Sequence, residues 1–254
     1  MKISVAIICF NEEKKIERCL QSVSWADEIV ILDSHSTDQT VAICKKFTDK
    51  VLVHDFDGHI QQKNRVLEHC ENDWVFSIDA DEVVTDELKA EILALKKELE
   101  LTDISGFFVN RRIKYLGKWI KHSNWYPDYK LRLFRKSKAK WGGVNPHDQI
   151  ILDVKDSRLS SELEHYSYDS VSDHLRTVDN FTSIISKEYY KKGKRPSIIN
   201  LTLRPIYGFT KSYLIKRGFL EGKRGLIIAI IDSYYVFLKF VKLYEIQLES
   251  KKEK

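Results

Sequence analysis

The first hundred residues alternate between two hydrophobic periods, and this restricts the fold more than any other feature of the chain. Ser4–Phe10, Glu28–Asp33, Lys50–Phe56 and Trp74–Asp79 are near-continuous apolar runs of strand length. Each is followed by a segment with helical spacing. Asn11 can cap a helix with Ile16, Cys19, Leu20 and Val23 inward, and Thr37–Phe47 turns Val41 and Cys44 inward. Gln61–Cys70 is a third helix, and Thr85–Leu99 a fourth with Leu88, Ile92, Leu95 and Leu99 on one stripe. Apolar strands alternating with helices predict a mostly parallel sheet with helices on both faces. Ligands bind such sheets beyond the carboxyl ends of the strands. The chain places Asn11 and Glu12 there, then Asp33 to Asp38, then Asp79, Asp81 and Glu82.

After residue 100 the pattern changes. Gly106–Tyr115 and Lys130–Phe134 read as strands around a polar-aromatic loop, and a helix is expected from about Ser170 to Lys192. Its inward residues would be Val171, Leu175, Val178, Phe181 and Ile185, with Gly193 as the stop. Residues 1–100, 101–180 and 181–254 are the expected divisions.

Charge separates the last of these from the rest. From Phe181 onward sixteen Lys/Arg stand against six Asp/Glu, a local balance of +10, which leaves the remainder at −5 within a net +5. Leu226–Val241 is apolar but carries Asp232, Ser233 and Lys239. That is too short and too polar for a clean span, which needs about 20 apolar residues. An aromatic, basic helical extension lying on an anionic membrane surface is expected, with a helical layer packed on the domain as the competing reading. Dense apolar runs between the lysines argue against a nucleic-acid partner. Cys9, Cys19, Cys44 and Cys70 lie in apolar stretches without CxxC spacing, as buried thiols in a reducing compartment do. The run from Met1 to Phe10 meets Asn11-Glu12-Glu13 and reads as a buried strand, not a leader, so a cytoplasmic location is expected.

In V-F-S-I-D-A-D-E three acids crowd into four residues, and they repel one another unless something cationic sits among them. Asp79-Ala80-Asp81 could hold a nucleotide diphosphate through a divalent metal. The same acids would also suit a helix N-terminus.

S-V-A-I-I-C-F-N-E-E, V-I-L-D-S-H-S-T-D-Q-T and D-W-V-F-S-I-D-A-D-E together resemble the family 2 glycosyltransferases of GT-A fold. H-S-N-W-Y-P-D-Y-K-L-R-L-F-R-K, W-G-G-V-N-P-H-D and R-G-F-L-E-G-K-R-G are similar to the lipopolysaccharide-core subgroup of β-1,4-glucosyltransferase type. The resemblance implies a cytoplasmic, membrane-peripheral enzyme that inverts a hexose. The donor would be a nucleotide-sugar such as UDP-glucose, and the acceptor a lipid-linked saccharide such as an inner-core heptose. Asp33 matches the acid on the nucleotide base, Asp79 the one near ribose and diphosphate, and Asp81 the ligand of Mg²⁺ or Mn²⁺. Asp148 matches the catalytic base, where relatives often carry a Glu. His35 stands where many relatives have Gly. Asn11, Glu12 and Arg132 complete the expected donor site, with Arg135 as a further anion contact. Trp125, Tyr126 and His147 are expected at the acceptor, and Trp119 is a further ring for sugar stacking. His165 is either a second metal ligand or a core histidine. Transfer to polyprenyl phosphate, and a non-catalytic nucleotide-sugar-binding protein at the membrane, are the competing functions.

Overall fold

The computed structural model describes residues 1–98, 103–145, 147–152 and 157–252, with the side chains of 97, 98, 147 and 252 excepted. The first part runs β1 (Ile3–Cys9), α1 (Ile16–Ser22), β2 (Glu28–Asp33), α2 (Thr40–Cys44), β3 (Val51–Val53), α3 (His59–Glu68), β4 (Trp74–Asp79), β5 (Glu82–Val84) and α4 (Asp86–Glu98). Then come β6 (Gly106–Tyr115), β7 (Lys118–Trp119), β8 (Asp128–Arg135), β9 (Ala139–Val144), β10 (His147–Leu152) and β11 (Arg158–His165). The chain ends with α5 (Val171–Lys191), α6 (Ile198–Leu201), α7 (Leu203–Thr210) and α8 (Lys223–Lys252). It forms two compact units. The first comprises 1–112, 128–143 and 147–166; the second comprises 113–127, 144–146 and 167–254. Strand β8 pairs with β4, and β6 with β8, in the sheet of the first unit.

In the first unit the strand order is β3-β2-β1-β4-β8-β6-β11-β5. The β3-β2-β1-β4 half is parallel, as the alternation predicts, and the β8 half is antiparallel. Strand periodicity explains how β1 is covered on both faces. Ile3, Val5 and Ile7 pack into one core with Ile16 and Leu20 of α1 and Leu88 and Ile92 of α4. Ala6 and Ile8 pack into the other with Val66 and Leu67 of α3. Each fully buried Ile or Leu contributes about 1.5–3 kcal/mol. All four cysteines are buried free thiols. Helix α2 is shorter than Thr37–Phe47, because the polar residues before it are used in the loop described below. Leu99 lies outside the described residues.

The second unit is helical. Ser170 caps α5 by accepting from the Asp173 N–H at 3.0 Å, and Gly193 ends it at φ +67. Val178 and Ile185 are buried as expected, whereas Leu175 is 42% exposed: it occupies the outer edge of the stripe that α8 covers. Helix α8 packs against α5 and α7. Two glycines permit a close crossing: a Cβ on Gly225 would lie 1.8 Å from the Gly218 carbonyl oxygen. Among the described residues no helix is long and apolar enough to cross a membrane.

His174 of α5 is buried, and its Nδ1 lies 3.1 Å from the Tyr115 hydroxyl. Burial pushes its imidazole down from 6.5 to about 4. The unfolded chain therefore binds a proton near pH 6.5 that the folded chain refuses until near pH 4. Stability is complete above the upper value and falls as pH drops through that window. Denaturant melts at pH 7, 6, 5 and 4.5 should show this slope, and His174→Gln should flatten it. An unchanged slope in the variant would contradict the assignment.

Candidate active site

The parallel register sets Asp33 opposite Cys9 and Asp79 opposite Ile8, so β1, β2 and β4 end together. Asp33 is fully buried and organises the loop after β2. It accepts from the Ser36 N–H at 2.7 Å, from the Ser36 hydroxyl at 2.5 Å and from the Cys9 thiol at 3.5 Å. Asn11 joins the two loops: its N–H donates to Ser36 Oγ and its Oδ1 accepts from the Thr37 N–H, both at 2.8 Å. The Glu12 N–H donates to Thr40 Oγ1 at 2.8 Å. His35 adopts φ +62, the left-handed region that favours glycine, and its Nε2 meets Asp55 at 2.8 Å. Asn11 is exposed above a shelf held rigid by these bonds.

The acids after β4 separate into two environments. Asp79 is compensated by Lys63 at 2.9 Å and Arg132 at 2.8 Å, with Arg111 at 3.7 Å. Burial alone would raise its carboxyl, but Arg132, Lys63 and Arg111 outweigh this and hold it well below the usual carboxylate range. Glu82 is fully buried, accepts from the Asp79 N–H at 2.8 Å, and pairs with Arg132 and with Arg111 at 3.1 Å. Arg111 also holds Asp128 at 2.7 Å. Lys63 reaches Asp148 with the same ammonium that holds Asp79, again at 2.9 Å. That ammonium lies 4.4 Å from the centre of the Trp141 ring. Burial acts to lower the Lys63 ammonium; Asp79 and Asp148 outweigh it and raise it. With Lys130 on Asp128 at 3.1 Å, four cations thus face four acids, and the repulsion expected from the sequence is answered from α3, β6 and β8.

Asp81 stands apart from this cluster. Its Oδ2 lies 3.1 Å from His165 Nε2. Burial would raise the carboxyl, but the neighbouring imidazole brings it below the ordinary value. A carboxylate with an imidazole beside it is an incomplete ligand set. Among the described residues no group of three or more His, Cys, Asp or Glu could hold a metal ion alone. Mg²⁺ takes one or two carboxylates plus phosphate oxygens, so Asp81 and His165 fit a metal that arrives with a diphosphate.

The structure therefore brings together Asp79, Arg132 and Asp148, and pairs Asp81 with His165. Arg132 is 3% exposed, with an amino group bound to Asp79 and Glu82. Trp125 and Tyr126 belong to the second unit, where Trp125 Nε1 donates to Asp232 at 3.2 Å. His147 begins β10, and its side chain lies outside the described residues. Lys63, Arg111 and Asp128 were missed from the sequence. A signal for Lys63 was present, since Ile60, Lys63 and Leu67 share one helical stripe and the lysine is the polar member of a buried face.

Comparison with known proteins adds four findings. The family model described as Glycosyl transferase family 2 matches residues 4–153. A glycosyltransferase of Rickettsia typhi is 33% identical across 98% of this chain and 89% of its own length. The lipopolysaccharide core biosynthesis glycosyltransferase LpsC of Rhizobium meliloti is 30% identical across 96% of this chain and 93% of its own. Among solved structures, S. aureus TarS 1-349 in complex with UDP-GlcNAc aligns at 18% identity with a TM-score of 0.49, covering 100% of this chain and 92% of that one.

Proposed function

This chain belongs to glycosyl transferase family 2, and from that premise we propose that it transfers a hexose, glucose from UDP-glucose, to a lipid-linked saccharide such as an inner-core heptose. The observation that carries the reading is the Asp79–Lys63–Asp148 bridge, in which one buried ammonium holds a donor-side acid and the candidate base 2.9 Å on either side. The name and near-complete overlap of the Rhizobium meliloti relative support a lipopolysaccharide-core acceptor.

In this reading residues 1–100 hold the donor and 101–180 the acceptor, with Asn11, Glu12, Asp33 and Asp79 lining the donor side. The acceptor hydroxyl attacks the anomeric carbon while its proton passes to an Asp148 carboxylate oxygen. The new C–O bond forms as the bond to the diphosphate oxygen breaks, and attack from the opposite face inverts the centre. Lys63 fixes the orientation of Asp148, and Trp141 covers the ammonium. Asp81 and His165 would hold the divalent metal, which when bound stabilises negative charge on the leaving diphosphate. Trp125, Tyr126 and His147 are proposed to recognise the acceptor.

A membrane-borne acceptor fits the surface of the second unit, and with it a place on the cytoplasmic face of the membrane. Ile198, Leu203, Ile206, Tyr207 and Ile215 are 60–80% exposed. Arg195, Arg204, Lys211, Lys216, Arg217 and Lys223 are exposed among them, while the one acid in that stretch, Glu221, is buried. Apolar residues interleaved with basic ones suit an anionic lipid interface. Incubation with radiolabelled UDP-glucose and heptose-terminated lipid in anionic vesicles should give a β-linked glucoside. Transfer to polyprenyl phosphate instead, or hydrolysis without transfer, would overturn the acceptor assignment.

A further inference from the structure

The second unit contains a cavity of about 200 Å³. Four aromatic rings line it, those of Trp125, Tyr168, Phe181 and Tyr235, together with His174 and one carboxylate, Asp232. Among the described residues Asp232 accepts only from neutral groups: Trp125 Nε1 at 3.2 Å on Oδ1, and the Ser212 hydroxyl at 3.0 Å and Asn124 Nδ2 at 3.5 Å on Oδ2. Burial pushes its carboxyl up, and among the described residues no cation offsets this. His174 does not serve as counter-ion, because burial keeps its imidazole neutral down to about pH 4. This contrasts with the first unit, where Asp79, Glu82, Asp128 and Asp148 each meet a Lys or Arg.

Asp232 is half-buried, and a half-buried carboxylate without a cation gains from a cationic partner. Aromatic faces attract cations, most strongly where water is excluded. Size adds a limit: a cavity of roughly 150 Å³ accepts benzene, so this one has room for about seven non-hydrogen atoms. We propose that the cavity binds an organic ammonium group, a primary or quaternary amine about the size of ethanolamine or choline, with Asp232 as its counter-ion and the four rings as its walls. Trp125, assigned above to the acceptor, would then meet a second ligand here.

The test uses the full chain and follows the Trp125 indole N–H resonance, identified by its loss in Trp125→Phe. Choline, ethanolamine, glucose and 3,3-dimethylbutan-1-ol, the neutral isostere of choline, are titrated in turn. The ammonium compounds should shift the resonance saturably, and the isostere should bind at least about tenfold more weakly than choline. Asp232→Asn should weaken choline binding by a similar factor. If that variant fails to fold, the comparison of choline with its isostere decides. Equal binding of choline and isostere, a shift with glucose alone, or no shift with either amine up to about 0.1 M would each overturn the proposal.

Discussion

Asp148→Asn should abolish most transfer, lowering kcat by about 10²–10⁴-fold, the usual contribution of a positioned general base. The amide matches the carboxylate in shape, its oxygen can still accept from Lys63, and Lys63 keeps Asp79 at 2.9 Å. Folding and UDP affinity should therefore be preserved, so the loss appears in kcat and not in donor binding. Asp148→Glu should retain part of the activity, since it keeps a carboxylate base in the site. A variant that transfers at the wild-type rate would place the base elsewhere. A wild-type protein that binds UDP and transfers nothing to any saccharide would favour a nucleotide-sugar sensor.

Arg132→Met is expected to cost more stability than any surface change in the first unit. The guanidinium is 3% exposed and touches both Asp79 and Glu82, and methionine fills similar volume without charge. Removing one partner from a buried ion pair costs about 3–5 kcal/mol. In a chain of this size that lowers Tm by on the order of 10 °C. Lys63 and Arg111 remain to share the acids, which places the cost toward the lower end. Adding Glu82→Gln to the variant should recover part of the loss, because it removes one of the acids left short of a cation. A melting temperature unchanged in Arg132→Met would mean the network carries no folding energy.

The parallel half of the sheet was legible because its strands are buried on both faces, which leaves near-continuous apolar runs such as Ser4–Phe10. The strand ends followed from the same pattern, and Asp33 and Asp79 stand where it placed them. Positions facing the core in α1 and just after it were equally clear: Ile16, Cys19, Leu20 and Val23 are all 0% exposed. Which cation meets which acid was not legible. Lys63, Arg111 and Arg132 lie far from Asp79 in sequence, and local pattern carries no information about which charges meet across a sheet. Short strands such as β5 and β7 also left no periodicity to read. Asp79-Ala80-Asp81 looked like one motif, yet the fold divides it: Asp79 is enclosed by cations while Asp81 turns to His165. The exposed apolar face of α6 and α7 follows from composition only in part, because Leu226–Val241 drew attention to α8, whose Ile228, Ala229 and Phe240 are buried.

The central claim is that Asp81, and not the neutralised Asp79–Glu82 pair, carries a metal with the donor's diphosphate. Calorimetric titration of UDP into the wild type and Asp81→Ala, each with and without Mn²⁺, tests it most directly. Binding should require Mn²⁺ in the wild type and be lost in the variant, with the fold intact. Metal-dependent binding that survives Asp81→Ala, or UDP binding indifferent to metal in both proteins, would contradict it.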